Sequence, residues 1–193
     1  MSGFQSLDLR LFEHLNGVPH PEWLNAFFWA VTSLGLGWVQ AGGVVAISLI
    51  WWRGRARFFA SEAARRLLWP GLWSFALSGL LSQALKRLIE RPRPPDLGAK
   101  ALDEYLHAYS FPSGHATTSF ALAVVAISIT HGTRRAWIGW LALVLALMIG
   151  YSRVYRGVHY PSDVLGGALL GALVSLGVLW FFRRRYQASG NSE

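Results

Sequence analysis

Five long stretches of this chain carry no Asp, Glu, Lys or Arg, and that distribution limits the fold more than any other feature. They are Leu36 to Trp52, Leu67 to Leu85, Ser119 to Thr130, Ala136 to Gly150 and Val164 to Phe182. Several approach the roughly 20 residues that a helix needs to cross about 30 Å of hydrocarbon. Few soluble proteins of 193 residues would hold five such runs. The expected fold class is therefore all-α: a polytopic membrane bundle of five to six transmembrane helices, forming one domain over residues 1–193.

The charges that remain are placed with order. The net charge is +8, and ten of the 18 basic residues fall in three clusters that flank apolar runs. These are Arg53, Arg55, Arg57, Arg65 and Arg66; Arg134 and Arg135; and Arg183, Arg184 and Arg185. Such flanking clusters follow the positive-inside pattern and argue against a nucleic-acid partner. With all three in the cytoplasm, the loops Glu90 to Pro112 and Ser152 to Pro161 lie outside. The N-terminus is then outside with five spans, and inside if Trp23 to Leu34 also crosses. The chain has no cysteine, which excludes disulfides, thiolate metal sites and a cysteine nucleophile. No cleavable leader is expected, because Asp8, Arg10 and Glu13 interrupt the first apolar segment.

Residues 4–16 space Phe4, Leu7, Leu11, Phe12 and Leu15 as an amphipathic helix would, which predicts a helix lying in the membrane interface. Trp23 to Leu34 is short and followed by Gly35 and Gly37, so it reads as a half-inserted helix or as the start of a long tilted span. A disordered tail is expected over residues 187–193. Ser74, Ser78 and Ser82, and the pair Gly167 and Gly171, recur at the interval that lets helices pack closely.

Outside the basic clusters, ionisable residues gather in the two outer loops: Lys86, Arg91, Arg93 and His115 with Ser113, then Arg153, Arg156, His159 and Asp163. Ionisable groups at span ends are costly unless they face a polar site. Lys and Arg also snorkel to the interface, and that reading suits Arg87 and Arg156 as well as a functional one. Several guanidinium and ammonium groups on one face would trap phosphate. Ser113 is placed to cap the helix that follows, leaving backbone N–H groups for an anion, and Gly114 lets the backbone approach phosphate oxygens. Pro161 suits a first helical position. Asp163 then reaches back to His159, fixing one imidazole nitrogen and freeing the other to attack. His115 is available to protonate a leaving oxygen. His14, His20, His107 and His131 are assigned surface roles. No carboxylate-rich or histidine-rich cluster suggests a metal, and no cofactor is expected.

These residues complete three motifs. Lys86-Arg-Leu-Ile-Glu-Arg-Pro-Arg93-Pro94 reads K-x6-R-P, Pro112-Ser113-Gly114-His115 reads P-S-G-H, and Ser152-Arg153 through His159 to Asp163 reads S-R-x5-H-x3-D. Together, within residues 86–163, they resemble the type 2 phosphatidic acid phosphatase superfamily, whose phosphate site is shared with vanadium-dependent haloperoxidases. The resemblance implies a helical bundle and a two-step reaction through a phosphohistidine. It implies that Lys86, Arg93, Ser113, Gly114 and Arg153 hold the phosphate, His159 attacks, Asp163 orients it, and His115 serves as acid and then base.

The expected substrate is a phosphorylated lipid, and the expected place is the extracytoplasmic face of a bacterial cytoplasmic membrane. Undecaprenyl pyrophosphate is favoured, on size and on the short amphipathic start. Phosphatidylglycerophosphate or phosphatidic acid, with broad specificity, is the alternative. The loop Pro95 to Ser110 either selects the head group or covers the site. A transporter or flippase would need polar residues deep in its spans, and few exist. A haloperoxidase would typically be larger and soluble.

Overall fold

The computed structural model describes residues 3–52, 62–94 and 109–190. Within them the chain forms seven helices: α1 (Gly3–Asn16), α2 (Glu22–Ser33), α3 (Gly37–Trp52), α4 (Glu62–Ile89), α5 (Gly114–Thr130), α6 (Ala136–Tyr155) and α7 (Pro161–Gly190). Each helix satisfies its own backbone hydrogen bonds within one segment, as lipid requires of the charge-free runs. Length and composition mark α6 and Pro161–Arg185 of α7 as spans able to cross a membrane. α2 and α3 add a third if they count as one span, although they bend by 56° at their junction. α5 is apolar but has only 17 residues.

α5 is the centre of the bundle and packs on α4, α6 and α7. The small residues make those contacts close. A Cβ at Gly167 would stand 2.6 Å from the Ser113 carbonyl oxygen, and one at Gly171 would collide with that of Thr117, so α7 meets α5 backbone to backbone. Ser175 Oγ donates to the Ala121 carbonyl one turn further on. On the other side, a Cβ at Gly139 of α6 would lie 2.7 Å from Ile127 Cα. Ser74, Ser78 and Ser82 are fully buried, and the α4 face they share approaches α5 where Gly114 nears Ser82 and Gly79 nears Thr118. Without a hydrophobic drive between helices in lipid, such close packing is the main cohesive force. The outer face of α7 shows the complement: Leu165, Leu169 and Leu173 are 64%, 65% and 66% exposed, a stripe for lipid.

Three details differ from the expectations. α2 and α3 are not one straight span. At their junction the N–H groups of Leu34, Gly35 and Leu36 bond to carbonyls three residues back, tightening the turn before the chain changes direction. α7 continues to Gly190, so the expected tail begins as helix, and residues 191–193 lie outside the described residues. α1 is amphipathic, but one of its acids, Asp8, is on the buried side with Phe12, while Leu7 and Leu11 are exposed. Phe12 anchors that side against Val154 and Tyr160.

Candidate functional site

Chain direction brings the motif residues to one end. α4 and α6 run towards that end and α5 and α7 run away from it. Lys86 therefore sits in the last turn of α4, Arg153 in the last turn of α6, Gly114 and His115 at the start of α5, and Asp163 in the first turn of α7. Arg93 follows α4, and His159 lies in the short link between α6 and α7. Lys86, Arg93 and Arg153 are all buried, as are Ser113, His159 and Asp163. Three cations out of water in one place are electrostatically costly unless anionic charge is held among them.

His159 is fixed from both sides. Its Nδ1 lies 3.3 Å from Asp163 Oδ2, and its Nε2 lies 3.2 Å from Arg93 Nη1. A guanidinium can only donate, so Nε2 is the acceptor and Nδ1 carries the proton towards the carboxylate. Arg93 Nη1 also donates to the Val158 carbonyl at 2.8 Å. Asp163 Oδ2 accepts the Tyr160 N–H at 2.9 Å, which holds the carboxylate at the helix start. Gly157, at φ 73°, makes the turn that returns the chain from α6 to His159.

The second histidine is set by the α2–α3 junction. A Cβ at Gly35 would lie 2.6 Å from His115 Cδ2 and equally close to Ile149 Cγ2, so only glycine leaves room for the imidazole. His115 Nε2 and Ser113 Oγ are both shielded from solvent and have no hydrogen-bond partner among the described residues. Ser113 holds the N-cap position but makes no side-chain cap bond. Its backbone carbonyl instead accepts from Thr117 N and Thr117 Oγ1. The first N–H groups of α5, which lack partners within the helix, stay available to an anion. Lys86 Nζ donates to the carbonyls of Tyr109 at 2.7 Å and Ser110 at 3.2 Å, tying α4 to the segment that enters the second motif. Arg153 Nη1 donates to Thr32 Oγ1 at 2.7 Å.

The structure thus gathers all eight expected residues, and adds several that sequence reasoning did not select. Thr32 and Gly35 come from the α2–α3 junction, and Asp8 and Ser162 join Arg91, already placed in the outer loop, in a group behind Asp163. Asp8 had a signal: with Phe12 and Leu15 it falls on one helical stripe, which places an acid on an apolar face. Of the two undecided arginines, Arg156 is buried and Arg87 exposed. His14 and His131 are on the surface as expected. His20 is not: it is partly buried and stacks on Tyr155, ring centres 4.4 Å apart, with Nε2 2.7 Å from the Asn16 carbonyl. Of the loop from Pro95 to Ser110, residues 95–108, with Lys100, Asp103, Glu104, Tyr105 and His107, lie outside the described residues, as do Arg53, Arg55 and Arg57. Among the described residues no group of three or more His, Cys, Asp or Glu could hold a metal ion.

Burial holds the His159 imidazole well below the ordinary histidine range, and the positive charges of Arg153, Arg93 and Lys86 push it the same way. Both effects disfavour the imidazolium. As pH falls below about 6.5, the unfolded chain takes up a proton that the folded site refuses. The stability from this group is therefore complete above about pH 6.5 and declines below it. Nitrogen-detected NMR of the histidines, with His159→Asn to assign the signal, should show a neutral His159 ring at about pH 6.5, where an ordinary imidazole is half protonated. A ring half protonated there would contradict this electrostatic picture.

A helical bundle that keeps three buried cations and a tautomer-fixed histidine at one end has the groups needed to hold a phosphate beside a nucleophile. Comparison with known proteins supplies the class. The chain belongs to the PAP2 superfamily, whose family profile matches residues 67–187, and it is a phosphatase of that family. It is 30% identical to a putative undecaprenyl-diphosphatase of Escherichia coli, over 91% of this chain and 84% of that one. It is 34% identical to a lipid A 1-phosphatase of Rhizobium etli, over 76% of this chain and 69% of the relative. The crystal structure of a transmembrane PAP2-type phosphatidylglycerolphosphate phosphatase from Bacillus subtilis superposes with a TM-score of 0.77. That match has 28% identity and covers 95% of this chain and 88% of the other.

Proposed function

We propose that the protein removes a phosphoryl group from a lipid phosphate monoester or pyrophosphate through a phosphohistidine at His159, without a metal. The observation that carries this reading is the state of His159: Nε2 is an acceptor 3.2 Å from Arg93, and Nδ1 is backed by Asp163. A substrate phosphoryl group enters among Lys86, Arg93, Arg153, the Ser113 hydroxyl and the backbone at Gly114, which together meet charge building on its oxygens. Nε2 attacks phosphorus, the P–O bond to the lipid breaks, and His115 gives that oxygen its proton. Asp163 stabilises the positive charge that forms on the His159 ring. Water then attacks the phosphohistidine, losing a proton to His115, and inorganic phosphate leaves with Nε2 restored.

We assign the site to the extracytoplasmic face of a bacterial cytoplasmic membrane. Helix directions put Arg134, Arg135 and Arg183 to Arg185 at the opposite end from the motifs, which suits a cytoplasmic location for those clusters. α2 packs on the Met148 to Tyr155 end of α6, so it reads as half-inserted at the site face, with α3 to α7 as five crossings. That count puts the N-terminus on the same face as the site, in keeping with the contact of Asp8 to Arg91.

Undecaprenyl pyrophosphate is the favoured substrate, supported by the E. coli relative. The other relatives support phosphatidylglycerophosphate as the alternative and add the 1-phosphate of lipid A. The test is phosphate release by the detergent-purified protein in chelator, from those three lipids and phosphatidic acid. Release is expected from at least one of them, undecaprenyl pyrophosphate fastest. Binding of every lipid with release from none would favour a transporter instead.

A further inference from the structure

The family profile begins at residue 67, yet the chain holds its catalytic carboxylate with a residue far upstream of that point. Asp8 of α1 is 4% exposed. Its Oδ2 accepts from Arg91 Nη2 at 2.6 Å and from Ser162 Oγ, and its Oδ1 accepts the Ser162 N–H at 3.0 Å. Arg91 spans the gap: its Nη1 donates to Asp163 Oδ1 at 2.7 Å and to Ser162 Oγ at 2.6 Å. The guanidinium also lies 4.1 Å from the centre of the Tyr160 ring, which limits its swing.

Two acids thus share one arginine. Asp163 Oδ1 is held by Arg91, and Oδ2 is left for the Tyr160 N–H and His159. Without Asp8, Arg91 Nη2 loses its anionic acceptor, and Ser162 loses the acceptor that fixes the first turn of α7. A guanidinium paired on one side only can turn from the carboxylate it orients, and Asp163 then turns relative to the imidazole. A buried network of this kind is worth having only when every member is satisfied.

We infer that Asp8 is a positioning residue: from the amphipathic helix α1 it fixes Arg91, and through Arg91 the carboxylate that orients the His159 nucleophile. This rests on the phosphohistidine reading only in naming what the geometry serves.

The experiment is steady-state kinetics on the purified full chain with Asp8→Asn, Asp8→Glu, Arg91→Gln and the Asp8→Asn/Arg91→Gln pair. The substrate is the lipid that the wild type cleaves fastest, and thermal unfolding is followed in parallel. Asp8→Asn should lower kcat by on the order of tenfold to a hundredfold, the scale on which misplaced catalytic groups act, with KM within about twofold. Asp8→Glu should recover part of the loss. The double variant should be no slower than the slower single one, because both remove one linkage. Wild-type kcat in a folded Asp8→Asn protein, or losses that multiply in the double variant, would overturn the proposal. If Asp8→Asn does not fold, Ser162→Ala with and without Arg91→Gln gives the same comparison. A wild type that cleaves no lipid would instead count against the hydrolytic reading. Nitrogen NMR of His159 then tests Asp8 without turnover: the Nδ1–H signal should shift in Asp8→Asn, and an unshifted signal would sink the proposal.

Discussion

His159→Ala is expected to lower phosphate release by on the order of 10⁵-fold or more, with lipid binding largely retained. Deleting the nucleophile of a covalent hydrolase has an effect of that size, because the remaining groups can stabilise a transition state but offer nothing to attack. Binding should survive because Lys86, Arg93, Arg153 and Ser113 belong to other parts of the chain. The variant should also remain folded. His159 is buried, but its partners Arg93 and Asp163 keep other contacts, to the Val158 carbonyl and to Tyr160 N–H and Arg91. Phosphate release in chelator and equilibrium binding of the same lipid give the two numbers.

His115→Asn is expected to cost on the order of 10²- to 10⁴-fold on a lipid substrate, the usual worth of a positioned general acid. The physical case lies in what surrounds the ring. Nε2 is shielded and unpartnered among the described residues, and Gly35 lies beside the ring at Cδ2, the carbon bonded to Nε2. A buried nitrogen without a partner costs about 1–3 kcal/mol, which a hydrogen bond to the leaving oxygen would relieve. The loss should depend on the leaving group. With a nitrophenyl phosphate, whose oxygen leaves without a proton, the variant should lose much less than with a lipid alcohol. Measured on the first turnover, before water attacks the phosphohistidine, equal losses on both would mean that His115 binds phosphate rather than protonating the leaving oxygen.

How much of this was legible in the sequence follows from range. His159, Pro161 and Asp163 lie within one helix turn, so local geometry alone predicts that the carboxylate reaches the imidazole, and it does. Lys86, Arg93 and Arg153 were legible because charges at the ends of apolar runs are costly without a purpose. The supporting residues were hidden because their partners are distant in sequence: Asp8 and Arg91 are 83 residues apart, and Thr32 and Arg153 are 121 apart. Gly35 looked like a simple breaker, and its role follows only from His115 lying against it. Membrane crossings were legible as apolar runs but not as a count. The sequence does not show that α2 turns by 56° into α3, nor that α2 stays near the end of α6.

The central claim is a covalent phosphohistidine, and the stereochemistry of transfer tests it most directly. A phosphate monoester substrate made chiral at phosphorus with oxygen isotopes would have its phosphoryl group transferred to a small alcohol in place of water, giving a new chiral monoester. Two in-line displacements, first by His159 Nε2 and then by the acceptor, predict retention of configuration. Inversion would mean a single direct displacement, and would contradict the account whatever the His159→Ala variant had shown.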